Sequence, residues 1–414
     1  MKKILPIILI IFLSSFFIFY QKNQIPKDLT FDEVEFAKLA LSLENKPYTP
    51  YSPLATGHST LYFYILLFSL KTFGINTFAL RLPSAIFGIL SIIIFYLIIK
   101  KLLTNYYLLL TILFTTSRWF LNFARFSFEA TFLLFLELTS LYFLIKDRTL
   151  QGQNLKGPSL IISGIFAGLA FNSYTPGRIF FILPLSIILF LIIKSKKNNN
   201  LKLKQLLYFL IPFVIMITPL TNYLLTHQDT RVDQLFFWKN HEMSWQEKII
   251  GTLENINSIF LMFFLKGDMN GRHNYPGKPA LNPIYSILFF IGLIISIKKF
   301  FKKKDLSNFV FVSYFFLSIF PSLAIYPWEN PSMLRTFTVI PSIIFFISQS
   351  LIYIFNFLKK YLSPSLILTT FYLILILSCF YELRTYFKYQ KVVFNQAFEI
   401  KYPLDKAIKM DFKN

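Results

Sequence analysis

Eleven stretches of this sequence are apolar over roughly the length a helix needs to cross a lipid bilayer, and this repetition limits the fold more than any motif does. A spanning helix takes about 20 mostly apolar residues. The stretches run 4–20, 78–99, 105–120, 128–145, 159–173, 178–193, 205–225, 283–297, 307–325, 336–357 and 364–381. The third, fifth, sixth and eighth are short. Another apolar run, 60–73, is closed early by Lys71 and Gly74, so a helix lying on the membrane or dipping into it is expected there. The chain is 55% hydrophobic, with 52 Phe and a mean hydropathy of +0.55. A water-soluble core cannot hide that much apolar surface, so the expected fold is an all-α polytopic membrane protein of about eleven spans. The first twenty residues begin like a secretory signal. However, Phe19-Tyr20-Gln21-Lys22 offers no small-x-small cleavage site, and an uncleaved first span is expected.

The formal net charge is +22. Its placement explains it without nucleic acid. With the N-terminus in the cytoplasm and spans alternating, the inner segments carry Lys2, Lys3, Lys100, Lys101, Lys146, Arg148, Lys156, the run 194–204 and the run 298–304, then Lys359 and Lys360. The short outer turns carry only Arg118, Arg125, Arg178 and Arg335. Lys and Arg in short loops resist translocation, which produces this bias. The two basic runs also suit anionic lipid head groups. The acids take the other side. Of 20 Asp and Glu, only Asp147 and Asp305 fall inside and Glu137 within a span. His58, His227, His241 and His273 all fall outside. Two long outer loops, 21–77 and 226–282, hold most of these groups. The expected organisation is therefore a membrane domain over 1–381, whose two long loops form the active, extracytoplasmic face, and a short extracytoplasmic tail over 382–414. The single cysteine, Cys379, allows no internal disulfide and no cysteine-based metal site.

Five outer constellations can carry chemistry. In the first, Phe31, Val34, Ala37 and Leu41 suggest an amphipathic helix along the membrane surface. Thr30 and Glu33 fit a capping box, a reading that explains Glu33 and leaves Asp32 over. In the second, Arg125 and Glu129 stand four apart, the spacing of a helical ion pair. The third is the turn Tyr174-Thr-Pro-Gly-Arg178, whose arginine suits either lipid head groups or a specific lipid phosphate. The fourth, Gly267 to Gly277, packs Asp268, Asn270, Arg272, His273 and Asn274 into one turn-rich loop. It opens with a calcium-like Asp-x-Asn but lacks the rest of the ligand spacing. The fifth is Trp328-Glu329-Asn330-Pro331 with Arg335, in which Glu329 suits a helix cap. Glu137 is the one ionisable group placed inside a span, and such groups mark function or an inward polar contact.

These residues, in this order, resemble the polyprenyl-phosphate-sugar transferases of the GT-C class. The closest likeness is to the bacterial protein-mannosyltransferase-like group that includes the lipid A aminoarabinose transferase. The likeness runs from Phe31-Asp32-Glu33 through His58-Ser-Thr-Leu-Tyr62 and Arg81-Leu-Pro-Ser84. It continues through Phe123 to Glu129 and Tyr174 to Arg178, and ends with Gly267 to Asn274 and Glu329 to Arg335. It implies a membrane glycosyltransferase at the extracytoplasmic face. The donor would be a sugar joined by one phosphate to a polyprenol, and the acceptor a hydroxyl on a lipid, glycan or protein. On this resemblance Asp32 is the base and Glu129 the second catalytic carboxylate. Arg178, Arg335 and His58 take the donor phosphate. Glu33, Arg125, Tyr174, Asp268, Asn270, Arg272, His273 and Glu329 support the substrates. No cofactor is certain. Some members of the class require a divalent metal ion and others do not. A transporter or flippase of lipid-linked sugars is the alternative, and Glu137 is what favours it.

The charge bias makes a direct prediction. In intact cells a cysteine at Asn199→Cys should resist an impermeant thiol reagent, whereas one at Asn240→Cys should react. The reverse labelling would turn the whole arrangement over.

Overall fold

The computed structural model describes residues 5–103, 106–149, 152–153, 155–194, 199–303 and 305–410. Lys2, Lys3, Lys196, Lys197 and Lys304 of the basic runs lie outside the described residues. The chain is helical almost throughout. Its helices are α1 (Leu5–Phe19), α2 (Phe31–Ser42), α3 (Leu61–Phe73), α4 (Thr77–Leu102), α5 (Tyr107–Thr116), α6 (Arg118–Arg125), α7 (Ala130–Ile145), α8 (Gly157–Phe171), α9 (Ile182–Lys194), α10 (Asn199–Thr226), α11 (Thr230–Leu235), α12 (Trp245–Phe264), α13 (Pro283–Lys303), α14 (Leu306–Leu323), α15 (Ile340–Leu358), α16 (Pro364–Arg384), α17 (Lys391–Ala397) and α18 (Leu404–Ala407). One short antiparallel pair, Tyr51–Ser52 with His58–Ser59, interrupts them near the site, in the register Tyr51 to Ser59 and Ser52 to His58.

Among the described residues each of the eleven apolar stretches is largely helical. Among the described residues seven helices are long and apolar enough to cross a membrane, or eight if α6 and α7, which meet at a bend of 113°, form one broken span. The difference from eleven is one of length: α1 and α8 have 15 residues each and α5 has 10. At 1.5 Å per residue such helices reach at most about 22 Å, short of the ~30 Å hydrocarbon layer. Run 60–73 is the helix α3, packed on α2 and α4.

A broken span leaves backbone groups without helical partners, and in lipid these must be satisfied by protein. Here two side chains do so. The Ser127 N–H donates to Glu33 Oε1 at 2.9 Å. The Phe128 N–H donates to Ser84 Oγ at 3.0 Å, and Ser84 Oγ donates back to the Phe128 carbonyl at 2.9 Å. The bend also removes the expected Arg125–Glu129 pair, because the two residues lie on different sides of the break. Arg125 instead donates to the carbonyls of Phe17 (2.7 Å), Ile18 (2.8 Å) and Ile25 (2.9 Å), capping the end of α1.

The capping box of α2 is present, with the Glu33 N–H donating to Thr30 Oγ1 and the Thr30 N–H to Glu33 Oε2. Glu33 does more than cap. Arg81 of α4 clasps it with two bonds, Nε to Oε1 at 2.7 Å and Nη2 to Oε2 at 2.8 Å. Arg81 spends its other donors on the carbonyls of Pro26 and Asp28, both at 2.7 Å. Neither partner is more than 1% exposed. The expected membrane-facing side of α2 is only partly open: Val34 and Ala37 are buried in protein against α3, Leu41 is half-buried and Phe31 is exposed. The tail covers the same helix from outside. Leu29 and Ile400 exchange backbone hydrogen bonds, and Lys38 Nζ reaches the Met410 carbonyl at 3.1 Å.

Glu137 of α7 accepts a hydrogen bond from Tyr314 Oη of α14 at 2.7 Å. That is a polar contact between two packed helices, and it supplies the inward-facing explanation of the residue.

Removing one partner of a buried ion pair leaves the other charge uncompensated, at a cost of about 3–5 kcal/mol. Glu33→Gln should therefore lower the thermal stability of the purified protein by that amount, and Glu33→Leu combined with Arg81→Met should recover part of it. A loss near 1 kcal/mol, the usual cost of a cap alone, would show that Arg81 adds nothing.

Candidate active site

A cavity of about 470 Å³ opens where the long loops meet. It is bounded by the first turn of α2, the 55–58 hairpin, the start of α11, the 268–273 loop and the segment 328–335. Asp32, His58, Asp268, Asn270, His273, Glu329 and Arg335, all singled out in the sequence, line it together.

Local chemistry builds each wall. Asp229 accepts the Val232 N–H and so starts α11, while also accepting from Tyr51 Oη at 3.1 Å. This seats the hairpin on α11 so closely that a Cβ at Gly57 would fall 2.2 Å from both Thr230 Oγ1 and Tyr51 Oη, at a φ of +93°. Only glycine fits there. Arg231, in the first turn of α11, then reaches across the hairpin. Its Nη1 donates to Thr56 Oγ1 at 2.8 Å and to His58 Nε2 at 3.1 Å. A guanidinium has no acceptor atom, so His58 Nε2 must be the acceptor and Nδ1 carries the proton. That proton points to Glu129 Oε1, 2.8 Å away. Glu129 is fully buried behind His58, and its Oε2 has no hydrogen-bond partner.

The 267–278 loop is organised by Asp268. Its carboxylate accepts the Asn270 N–H (2.8 Å), the Met333 N–H (2.8 Å) and a bond to His273 Nδ1 (2.9 Å). The loop closes on itself through Gly267, whose missing Cβ would otherwise sit 1.9 Å from the Lys278 carbonyl oxygen. Arg272 leaves this loop to hold Asp32 Oδ2 at 2.7 Å, and it also reaches Glu399 of the tail at 3.3 Å. Asp32 Oδ1 has no bond among the described residues.

Glu329 does not cap a helix. It lies in the one-turn helix Pro327–Glu329, and its Oε2 accepts Arg335 Nη2 at 2.6 Å. Arg335 also marks where the polar cavity meets a narrow apolar crevice. The crevice is lined by Tyr174, Leu235, Phe236, Pro321 and Ile325, with Arg231 and Arg335 shared between the two spaces. Tyr174 lies under the Arg231 guanidinium at 5.9 Å, and burial pushes its hydroxyl above the ordinary tyrosine value.

Six of the expected site residues, Glu33, Arg125, Glu129, Tyr174, Arg178 and Arg272, do not line this cavity. Glu33 and Arg125 are spent on the fold. Arg178 lies outside the cavity wall, because its guanidinium is bonded to Asp229. Glu129 supports His58 from behind and does not line the cavity. Arg231 was not expected. It sits beside an ordinary helix cap, in a stretch without the glycine and proline density that drew attention to the 267–277 loop. Its local sequence carries no signal that sets it apart from the other cations of the long loops. Among the described residues it pairs with no carboxylate, whereas Arg178, Arg272 and Arg335 each do.

The arrangement sets an accessible carboxylate, Asp32, across a polar cavity from two arginines at the mouth of an apolar crevice. It can take a proton from one ligand and hold an anion on another. Among the described residues no three His, Cys, Asp or Glu side chains converge as ligands.

Residues 57–223 match the family described as dolichyl-phosphate-mannose-protein mannosyltransferase. No curated protein matches the chain in sequence. Among solved structures, the fold is similar to the archaeal oligosaccharyltransferase AglB from Archaeoglobus fulgidus, solved with an inhibitory peptide and a dolichol-phosphate. The two are 14% identical, with a TM-score of 0.55 and coverage of 95% of this chain. This chain spans 56% of the length of that one. It is also similar to ArnT from Cupriavidus metallidurans in the apo state, at 11% identity and a TM-score of 0.52, covering 97% of this chain and 77% of that one. At such identities the likeness speaks to the fold. The fold of this multi-pass membrane chain is thus similar to those of AglB and ArnT, and its segment 57–223 matches the mannosyltransferase family model.

Proposed function

We propose that the protein transfers a sugar from a polyprenyl-phosphate donor to an acceptor hydroxyl at the extracytoplasmic face of the cell membrane. One observation carries this reading: the only cavity-lining arginine without a carboxylate among the described residues, Arg231, stands with Arg335 where a polar chamber joins an apolar crevice. A lipid phosphate has the same two-sided character, an anion joined to a hydrocarbon tail. The dolichol-phosphate held by the archaeal structural neighbour supports the same donor class.

In the proposed reaction the acceptor oxygen attacks the anomeric carbon. The bond from that carbon to the phosphate oxygen breaks, the hydroxyl proton passes to Asp32, and polyprenyl phosphate leaves. Arg272 orients the Asp32 carboxylate through Oδ2, leaving Oδ1 for the proton. Arg231 and Arg335 neutralise the charge that builds on the leaving phosphate. Arginine suits this because its planar fork donates two bonds and keeps its charge when partly desolvated. Glu129 and His58 act as positioning residues for Arg231. Whether the sugar is a hexose or a pentose, and whether the hydroxyl belongs to a lipid, glycan or protein, is for a donor and acceptor panel to decide. The direct test is release of free polyprenyl phosphate from a sugar-charged donor by the purified protein.

Asp32→Asn should slow donor turnover by ~100-fold or more, the usual scale for a lost general base. Normal turnover would remove Asp32 from the chemistry.

Arg231→Ala should lower kcat by about 100-fold, as for loss of one charge-stabilising donor, and also weaken donor binding. Arg231→Lys should recover only part, since the charge returns without the fork. Arg178→Ala should change the amount of folded protein and leave kcat near wild type. Wild-type kinetics in both Arg231 variants, at matched amounts of folded protein, would rule out this phosphate site.

A further inference from the structure

Helix α12 has three faces. At 100° per residue, Trp245, Ile249, Leu253, Ile256 and Phe260 fall within an arc of roughly 80°. Each is about half exposed or more, from 48% for Ile256 to 73% for Trp245. The adjoining arc carries the exposed polar residues Gln246, Glu247, Glu254 and Asn257, with the exposed Ile250 among them. The third face, with Gly251, Asn255, Ile259 and Met262, is buried against α14 and the turn at Pro327–Glu329. A bare apolar stripe of this length does not stay in water.

Both ends of the stripe lead somewhere. At the C-terminal end, Phe260 meets Phe264 at 5.0 Å, and Phe264 meets Phe290 at 5.9 Å. Phe290 and Ile287 are exposed on α13, one of the spans. The stripe is thus continuous with a lipid-facing surface. At the N-terminal end the rings continue toward the cavity. Trp245 meets Trp238 at 5.8 Å, Trp238 meets Phe237 at 5.9 Å, Phe237 meets Tyr326 at 6.0 Å, and Tyr326 stacks on Trp328 at 4.4 Å. Trp328 lines the cavity. Asn255 fixes the helix to that same wall. Its Nδ2 donates to the carbonyls of Leu323 (3.0 Å) and Ile325 (2.6 Å), and its Oδ1 accepts from Asn330 Nδ2 (2.7 Å).

We infer that α12 is a lipid-surface helix whose bare stripe is covered by the bilayer, and that its depth, carried through the packed rings and Asn255, sets where the cavity lip meets a lipid-linked substrate. An amphipathic helix with one apolar, one polar and one protein-bound face has its depth set by lipid and water together. Aromatic rings suit that boundary, being apolar in body with a polar edge for Trp and Tyr. Because Asn255 ties α12 to the 323–330 segment, the depth of the helix also sets the depth of the cavity lip. The first half of the inference stands on the surface alone. The second half rests on the lipid-linked donor proposed above.

The test uses the full chain in phosphatidylcholine nanodiscs, with a nitroxide label at Leu253→Cys or at Glu254→Cys. Collision with oxygen relative to a water-soluble nickel chelate should be roughly tenfold higher at 253 than at 254, as for a face sunk about 5–10 Å below the head groups. Equal ratios at the two sites would overturn the lipid assignment. So would a 253 label shielded from both oxygen and chelate, the result expected if a second protein copy covered the stripe. The link to the cavity lip is tested with Leu253→Asp. It should slow turnover of a full-length polyprenyl donor about tenfold and leave a short-chain, water-soluble donor unchanged. Equal slowing of both donors, or of neither, would overturn the link. If wild-type protein turned over neither donor, the transferase reading would fail while the nitroxide result still decided the lipid face.

Discussion

The site depends on the clasp between Glu33 and Arg81. One carboxylate closes the first turn of α2, receives a span arginine on both oxygens and satisfies a backbone N–H at the break between α6 and α7. Those three elements carry Asp32, the floor under α2 and the segment leading to Glu129. Buried ion pairs are costly to desolvate and repay that cost only when every donor and acceptor is used. Here the remaining Arg81 donors go to the carbonyls of Pro26 and Asp28. The pair works as a fixed joint between a surface helix and the membrane bundle, which lets a neighbouring exposed carboxylate be placed reproducibly.

Arginines do most of the sorting on this face, and their partners separate their roles. Arg125 is consumed by the carbonyls at the end of α1 and Arg118 by Glu382. Arg178 is neutralised by Asp229, and Arg272 divides itself between Asp32 and Glu399. Arg335 keeps one edge on Glu329. Arg231 alone of the cavity arginines is held by neutral groups, a threonine hydroxyl and a histidine nitrogen. A guanidinium positioned without a counter-charge keeps its electrostatic pull for whatever enters. Residue type is the same in every case, and the difference lies in which acceptor the fold brings near.

This explains what was legible in the sequence. The helices were, because lipid demands long apolar runs and the runs are plain. The convergence of 32, 58, 268–273 and 329–335 on one cavity was foreshadowed by the density of polar groups in the outer loops. What periodicity could not supply was direction. Val34 and Ala37 look as ready for lipid as the stripe on α12, yet α2 buries these two in protein and α12 leaves its own stripe bare. Arg125 and Glu129 have helical-pair spacing, but an extended residue at Phe126 breaks the helix between them. Arg231 was hidden for the opposite reason: its local sequence is ordinary, and its importance comes wholly from the hairpin that Gly57 lets approach it.

The tail bears on how the molecule is made. Leu29 and Ile400 pair through their backbones, and Glu399 accepts both the Phe31 N–H and Arg272. The rim around Asp32 is thus assembled from residues 368 apart in the chain. During insertion the first loop emerges long before its partner strand exists. The pocket can be completed only after α16 and the segment beyond it have been synthesised. A nascent chain stalled before that point would hold its bundle and lack a finished rim.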